Sequence, residues 1–246
     1  VRKNHLFIFI LSLLVLLPQA HATLQIPGQL TKSDENKILQ ILGYGSSAKI
    51  LGDPYPLGGY SGLEVGYSAE ILQTDQLAAL GSAATMQSQL SYNMITIGKG
   101  LYNNIDTFLT FALMGQQENI TNVGGQIRWG FFQASYLPIY LSAVLHGNSF
   151  NCENTVVTNT VGLDIIAGFK EGDVTLYFGG GTIRVQGTFT GGNGGITSDG
   201  GNDSASIAGS RFLAGLNVKF FGKAFFAGEI DNYANAVYSA KLGYRF

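Results

Sequence analysis

Charge is scarce in this chain. Asp, Glu, Lys and Arg make up 12% of its 246 residues, about half the share usual in soluble domains, and a water-facing enzyme surface is hard to build from so few. The 14 Lys and Arg stand against 16 Asp and Glu and form no basic block, which excludes nucleic acid as an expected partner. One cysteine, Cys152, leaves no internal disulfide to hold the fold. After residue 22 there is no run of 18 apolar residues, so helical membrane spans are not encoded. Glycine, by contrast, reaches 34 residues, about twice its average share.

The first residues do hold an apolar run. Arg2 and Lys3 precede Leu6–Leu17, Pro18 ends the run, and Ala20-His21-Ala22 has small residues at the spacing of a cleavage site. Together these predict an export signal over 1–22, cleaved after Ala22. The residue directly after that point is Thr23, so no cysteine stands there to accept a lipid. His5 and His21 would leave with the signal, so His146 stands alone. A two-histidine metal centre cannot then be built, HExxH is absent, and neither metal nor cofactor is implied.

Beyond residue 60 the chain alternates with period two, the signature of strands with one apolar face. In the last segment Ala236, Tyr238, Ala240, Leu242, Tyr244 and Phe246 share one face and Val237, Ser239, Lys241, Gly243 and Arg245 the other. Upstream, Phe212, Ala214, Leu216, Val218 and Phe220 oppose Arg211, Leu213, Gly215, Asn217 and Lys219. Nearly every charge within a segment falls opposite the apolar face. A soluble sandwich would also alternate, but it would need a well-solvated second face; here that face is Gly, Ser, Thr and lone charges of both signs. A sheet in lipid must close on itself, because unpaired backbone groups have no water there.

The pattern predicts an all-β fold, a transmembrane antiparallel β-barrel of about ten strands, with eight or twelve as alternatives. The strands fall at 60–71, 91–100, 103–114, 122–133, 138–148, 157–169, 173–187, 205–220, 223–231 and 235–246, the second with ambiguous faces. Short turns near 100–103, 170–172 and 221–223 alternate with long connections over 72–90, 115–121, 149–156 and 188–204. All the long connections then emerge on one side, as they do on the outer side of outer-membrane barrels.

The closing residues Lys241-Leu242-Gly243-Tyr244-Arg245-Phe246 resemble the C-terminal strand of Gram-negative outer-membrane β-barrel proteins. The resemblance covers 60–246. It implies a place in the cell outer membrane among its lipids and lipopolysaccharide, and recognition of Tyr244 and Phe246 by the barrel assembly machinery. It implies no activity.

Residues 23–59 read differently. Thr31 and Asp34 have capping-box spacing, Ile38, Leu39, Ile41 and Leu42 form an apolar stripe, and Gly43 can end a helix over about 33–42. The leading expectation is a periplasmic segment that caps the barrel mouth; a plug in the lumen and a partner-binding element are the alternatives. A second helix could start at Asp75-Gln76. The glycine-rich 188–204 stretch lacks a repeating calcium motif and reads as a surface loop.

The inward charges are Glu64, Glu70, Asp106, Arg128, Asp164, Lys170, Asp173, Arg211, Lys219, Glu229, Asp231, Lys241 and Arg245. With His146 they are expected to form a polar lumen network, since an isolated buried charge costs several kcal/mol. Ser142, His146 and Asp164 hold the groups of a catalytic triad, yet Ser142 and His146 are four residues apart on one strand, about 13 Å by rise. Enzymatic activity is therefore not expected. The function expected is structural, or contact with a surface partner through the outer loops; the alternative is a narrow channel for ions or small solutes.

Overall fold

The computed structural model describes residues 24, 26–82, 88–113, 120–192, 195–233 and 235–246; the export signal over 1–22 lies outside them, as does most of the 115–121 connection. Ten strands form the wall: β1 (Leu63–Gln73), β2 (Gln89–Gly100), β3 (Ile105–Ala112), β4 (Ile120–Gln133), β5 (Ile139–Cys152), β6 (Val156–Glu171), β7 (Val174–Phe189), β8 (Asp203–Phe220), β9 (Ala224–Asn232) and β10 (Ala236–Arg245). Each pairs antiparallel with its sequence neighbours, and β10 returns to β1 from Glu64↔Arg245 to Leu72↔Val237. The sheet is closed, so no strand edge is left open to lipid. No described helix is long and apolar enough to cross a membrane.

Alternation sets the two faces. Val65, Leu109, Ile127, Leu145, Leu163 and Ile230 lie exposed on the outer wall, while Glu64, Asp106, Arg128, Asp164 and Arg211 on the same or neighbouring strands are buried inside. The ambiguous strand β2 turns Leu90, Tyr92, Met94 and Thr96 inward and Ile97 outward. Tyr60, Trp129, Phe131, Phe169, Phe221 and Tyr244 are exposed near one end of the barrel, an aromatic girdle of the kind that settles at a lipid–water boundary. Leu216 sits on the outer face of β8. Leu216→Arg is expected to destabilise the lipid-folded barrel by about 2–4 kcal/mol, whereas Tyr136→Arg, in an exposed turn, should change little. A denaturant titration in lipid in which the two variants behaved alike would contradict the assigned faces.

The girdle end carries the short turns, 101–104, 134–138, 172–173 and 221–223; at the other end β1 leads to β2, β3 to β4, β5 to β6, β7 to β8 and β9 to β10. Two expectations are corrected here. The connection expected over 149–156 is only Glu153-Asn154-Thr155, because β5 and β6 stay paired out to Cys152↔Val156. Glu153 and Asn154 take positive φ (53° and 57°), and Asn151 holds the turn through Asn154 at 2.9 and 3.1 Å; the polar Asn and Ser residues look like loop in sequence but suit a tight hairpin equally well. Asp173, expected inside, is exposed in its turn.

The larger correction concerns the residues before β1. They do not form a periplasmic segment beyond the barrel: they run inside it. Helix α1 (Lys32–Ile38) starts at the expected capping box, with Asp34 N–H donating to Thr31 Oγ1 at 3.3 Å and Thr31 N–H to Asp34 Oδ2 at 3.0 Å. One wide turn over Leu39–Gly43 continues it. Leu30, Ile38, Leu39 and Leu42 are buried against Leu72, Leu90, Phe150, Val156, Val185 and Phe189, all near the long-loop mouth. The chain then descends through the lumen and reaches the short-turn mouth, where Gly100 N–H donates to Gly62 O at 3.0 Å.

Candidate functional site: a lumen filled by its own chain

Residues 44–57 can occupy the lumen because both sides are pared down. A Cβ at Gly45 would lie 2.7 Å from Leu72, one at Gly168 2.6 Å from Pro54, and one at Gly209 2.6 Å from the Tyr44 hydroxyl. Inward glycines that would have left space in an empty barrel are filled by large groups, Tyr177 over Gly215 and Phe225 over Gly243 among them. Close fit of this kind is the normal state of a protein interior.

The half of the lumen towards the long loops is acidic. Asp164, Glu229 and Asp231 surround the fully buried Arg211, which donates to Asp164 Oδ2 at 2.7 Å, Asp231 Oδ1 at 2.5 and 2.8 Å, and Glu229 Oε1 at 3.3 Å. His146 completes the group, 3.1 Å from Asp164 and 3.5 Å from Arg211. Glu229 also accepts the Ile50 and Leu51 N–H groups at 3.0 and 2.8 Å, and the Tyr177 hydroxyl at 2.8 Å. Glu70 accepts from Tyr92 at 3.0 Å and lies 4.0 Å from Lys49 of the threaded segment. Lys49 is buried too, and donates to Gly45 O at 2.8 Å and Ser47 O at 2.6 Å.

The half towards the short turns is basic. Lys219, Lys170 and Arg245 converge on Asp53 Oδ2 at 3.1, 3.4 and 3.6 Å. Glu64 takes Lys241 at 2.6 Å and Arg245 at 2.8 Å. Arg128 does not pair with a carboxylate; it donates to Asp53 O at 2.9 Å and Ile50 O at 3.3 Å, with its guanidinium 4.7 Å from the Phe108 ring centre. Asp106, its cross-strand neighbour, accepts Leu57 N–H at 3.1 Å instead. Between the halves Asn122 and Asn148 both donate to Ser46 O, at 3.1 and 2.8 Å, and Gln126 donates to Lys49 O at 3.3 Å.

Glu64, Glu70, Asp106, Arg128, His146, Asp164, Arg211, Glu229 and Lys241 are buried inside the wall and Lys219 is half-buried there, whereas Asp173 is not among them, and several partners are not the expected ones. The residues missed are those of the segment: Ser46, Lys49, Ile50, Leu51, Asp53 and Leu57 supply backbone or charged groups to the wall. Among the inward residues Asn122, Asn148 and Tyr177 were missed as well. Neutral side chains carry no charge signal in a sequence, and the segment carries no period.

Among the described residues a cavity of about 10 Å³ lies in the lumen beside Ser46, Lys49, Glu70 and Asn122, room for a single water. Ser142 Oγ has no hydrogen-bond partner, so His146 does not activate it. Among the described residues no group of three or more His, Cys, Asp or Glu could hold a metal ion. At the long-loop mouth Leu30 is bonded to both Ile196 (2.7 Å) and Ser198 (3.1 Å), and Ser82 N–H donates to Gly28 O at 2.8 Å. Lys32 pairs with Asp203 and Glu35; Asp203 beside it raises its ammonium above the ordinary lysine value.

No protein-family model matches the chain, and no curated protein does. Solved barrels align with the chain at low identity and low TM-score. The N-terminal β-barrel domain of Pseudomonas aeruginosa OprF is 12% identical over 76% of this chain and 99% of its own, at TM-score 0.34. Acinetobacter baumannii Omp33 is 7% identical over 82% and 100%, at 0.32, and Yersinia pestis Ail is 13% identical over 75% and 97%, at 0.31. Likeness at this level assigns no activity. The closed wall, apolar outside and polar inside, is that of a transmembrane β-barrel.

Proposed function

We propose that the protein is a non-enzymatic outer-membrane barrel, shut to solutes, whose working surface is the mouth carrying the long loops. The observation that supports this most is the lumen itself, occupied by residues 44–57, which bond to the wall from Ser46 to Leu57. Outer-membrane barrels turn their longer loops to the exterior, which places loops 74–88 and 190–202 where a surface partner would meet them. The outer wall is covered by membrane lipid and, on the exterior side, lipopolysaccharide. A channel would require the threaded segment to leave, against the ion pairs and hydrogen bonds that Asp53 and Glu229 make.

Assembly has its own requirement. Phe246 is exposed, packs edge-on to Tyr244 at 4.9 Å and donates its N–H to Leu63 O at 2.9 Å, so little of the folded state depends on its ring. Deleting Phe246 should lower the amount of heat-modifiable barrel in cells while in-vitro refolding stays near wild type. Unchanged cellular insertion would show that Tyr244 and Phe246 are not read by the assembly machinery.

The test of the closed barrel is solute entry. Liposomes containing the purified protein should not swell in an isotonic disaccharide. Rapid swelling would defeat the reading and favour the channel.

A further inference from the structure

We propose that the N-terminal segment crosses the outer membrane through the lumen of its own barrel, so that residues 26–31 stand at the cell surface as part of the loop-bearing face. The inference rests on the orientation adopted above, with the long loops outside, and adds a piece of chain to that surface.

Two features support it. Chain continuity is the first. Residues 59–62 join β1 at the short-turn mouth, so a segment inside the lumen can only run upward from there towards the long loops. It arrives there with Gly28 bridged to Ser82 and Leu30 to Thr197, binding the segment to the loops after β1 and β7. These contacts turn two separate loops into one surface with the N-terminal stretch between them.

The second is charge. The wall is bipolar along its axis: Glu70, Asp164, Glu229 and Asp231 face Arg211 alone in the outer half, while Arg128, Lys170, Lys219, Lys241 and Arg245 face Glu64 and Asp106 in the inner half. The segment carries the opposite pattern, Lys49 outward and Asp53 inward. The two are four residues apart, about 13–14 Å of extended chain, which spans the step between the halves. Only one depth satisfies both. A segment lying free below the barrel would leave Lys170, Lys219 and Arg245 crowded without Asp53, and leave Glu229 without the Ile50 and Leu51 N–H groups. Burial of unpaired charge is costly, so the wall itself selects the threaded state.

Cysteine labelling in intact cells tests the placement. Gln29 is exposed at the long-loop mouth, Asp199 lies exposed in the 190–202 loop, and Ser61 is exposed at the opposite mouth; the native Cys152 is buried, so the wild type serves as the blank. With a membrane-impermeant maleimide, Gln29→Cys and Asp199→Cys should label in intact cells well above the blank. Ser61→Cys should label only after the outer membrane is permeabilised. Labelling at Asp199→Cys without labelling at Gln29→Cys would overturn the threaded segment while leaving the loop orientation intact. Labelling at Ser61→Cys with Asp199→Cys silent would overturn the orientation, and with it the proposed working surface.

Discussion

Arg211→Met is expected to destabilise the barrel by about 3–5 kcal/mol, the range for breaking a buried ion pair by removing one partner. The side chain is wholly buried and its two terminal nitrogens and Nε serve Asp164, Glu229 and Asp231. Methionine fills much of the same volume, so the loss is electrostatic: three carboxylates and His146 remain in a lumen with no cation among them except Lys49. Lysine at the same position restores the charge but not the forked geometry that lets one group meet several acceptors, and Arg211→Lys should fall between. Urea titration of the protein refolded in lipid, read by heat-modified gel mobility, gives the order. Wild-type stability in Arg211→Met would mean that the acidic cluster is not charged, or not where it is placed.

Asp53→Ala is the second large effect. One carboxylate, fully buried, answers three cations, and its removal leaves Lys170 and Lys219 facing one another. Those lysines and Arg245 reach solvent in part, which softens the loss; about 3 kcal/mol, the lower end of the range for a broken buried pair, is expected. The segment should also loosen locally, since the Tyr55 N–H loses its acceptor at 3.1 Å. Limited proteolysis between residues 50 and 58 is the readout. Lys219→Met added to Asp53→Ala should recover part of the stability, because it removes one of the cations left unpaired. No recovery would show that repulsion between these groups is not what the substitution exposes.

Much of the wall was legible because its two environments are chemically opposite. Lipid outside and paired charge inside force strict alternation, so Leu216 beside Asn217, or Ile127 beside Arg128, reveals both strand and face. The ends were less legible. Runs of polar residues such as Gly147-Asn148-Ser149 suit a loop and a tall strand alike, and β5 and β6 prove to be strand up to a three-residue turn. The lumen was legible only as an inventory. Asp106 and Arg128 sit side by side on paired strands and are natural partners in sequence, yet each turns to the backbone of the threaded segment. Nothing periodic marks residues 43–58: their glycines, serines and prolines read as linker. The one available signal was the pair Lys49 and Asp53, two charges isolated in an otherwise uncharged stretch, and its meaning depends on the charge pattern of a wall that forms elsewhere in the chain.

That residues 44–57 close the barrel is tested most directly by planar-bilayer conductance of two proteins, the wild type and a variant lacking residues 24–58. The wild type should be electrically silent. The variant, once heat-modified mobility shows a folded barrel, should give discrete conductance steps, because the groups that filled the axis are gone while the ten-stranded wall remains. Wild-type steps equal in size to those of the variant would contradict the account, since the segment would then contribute nothing to closure.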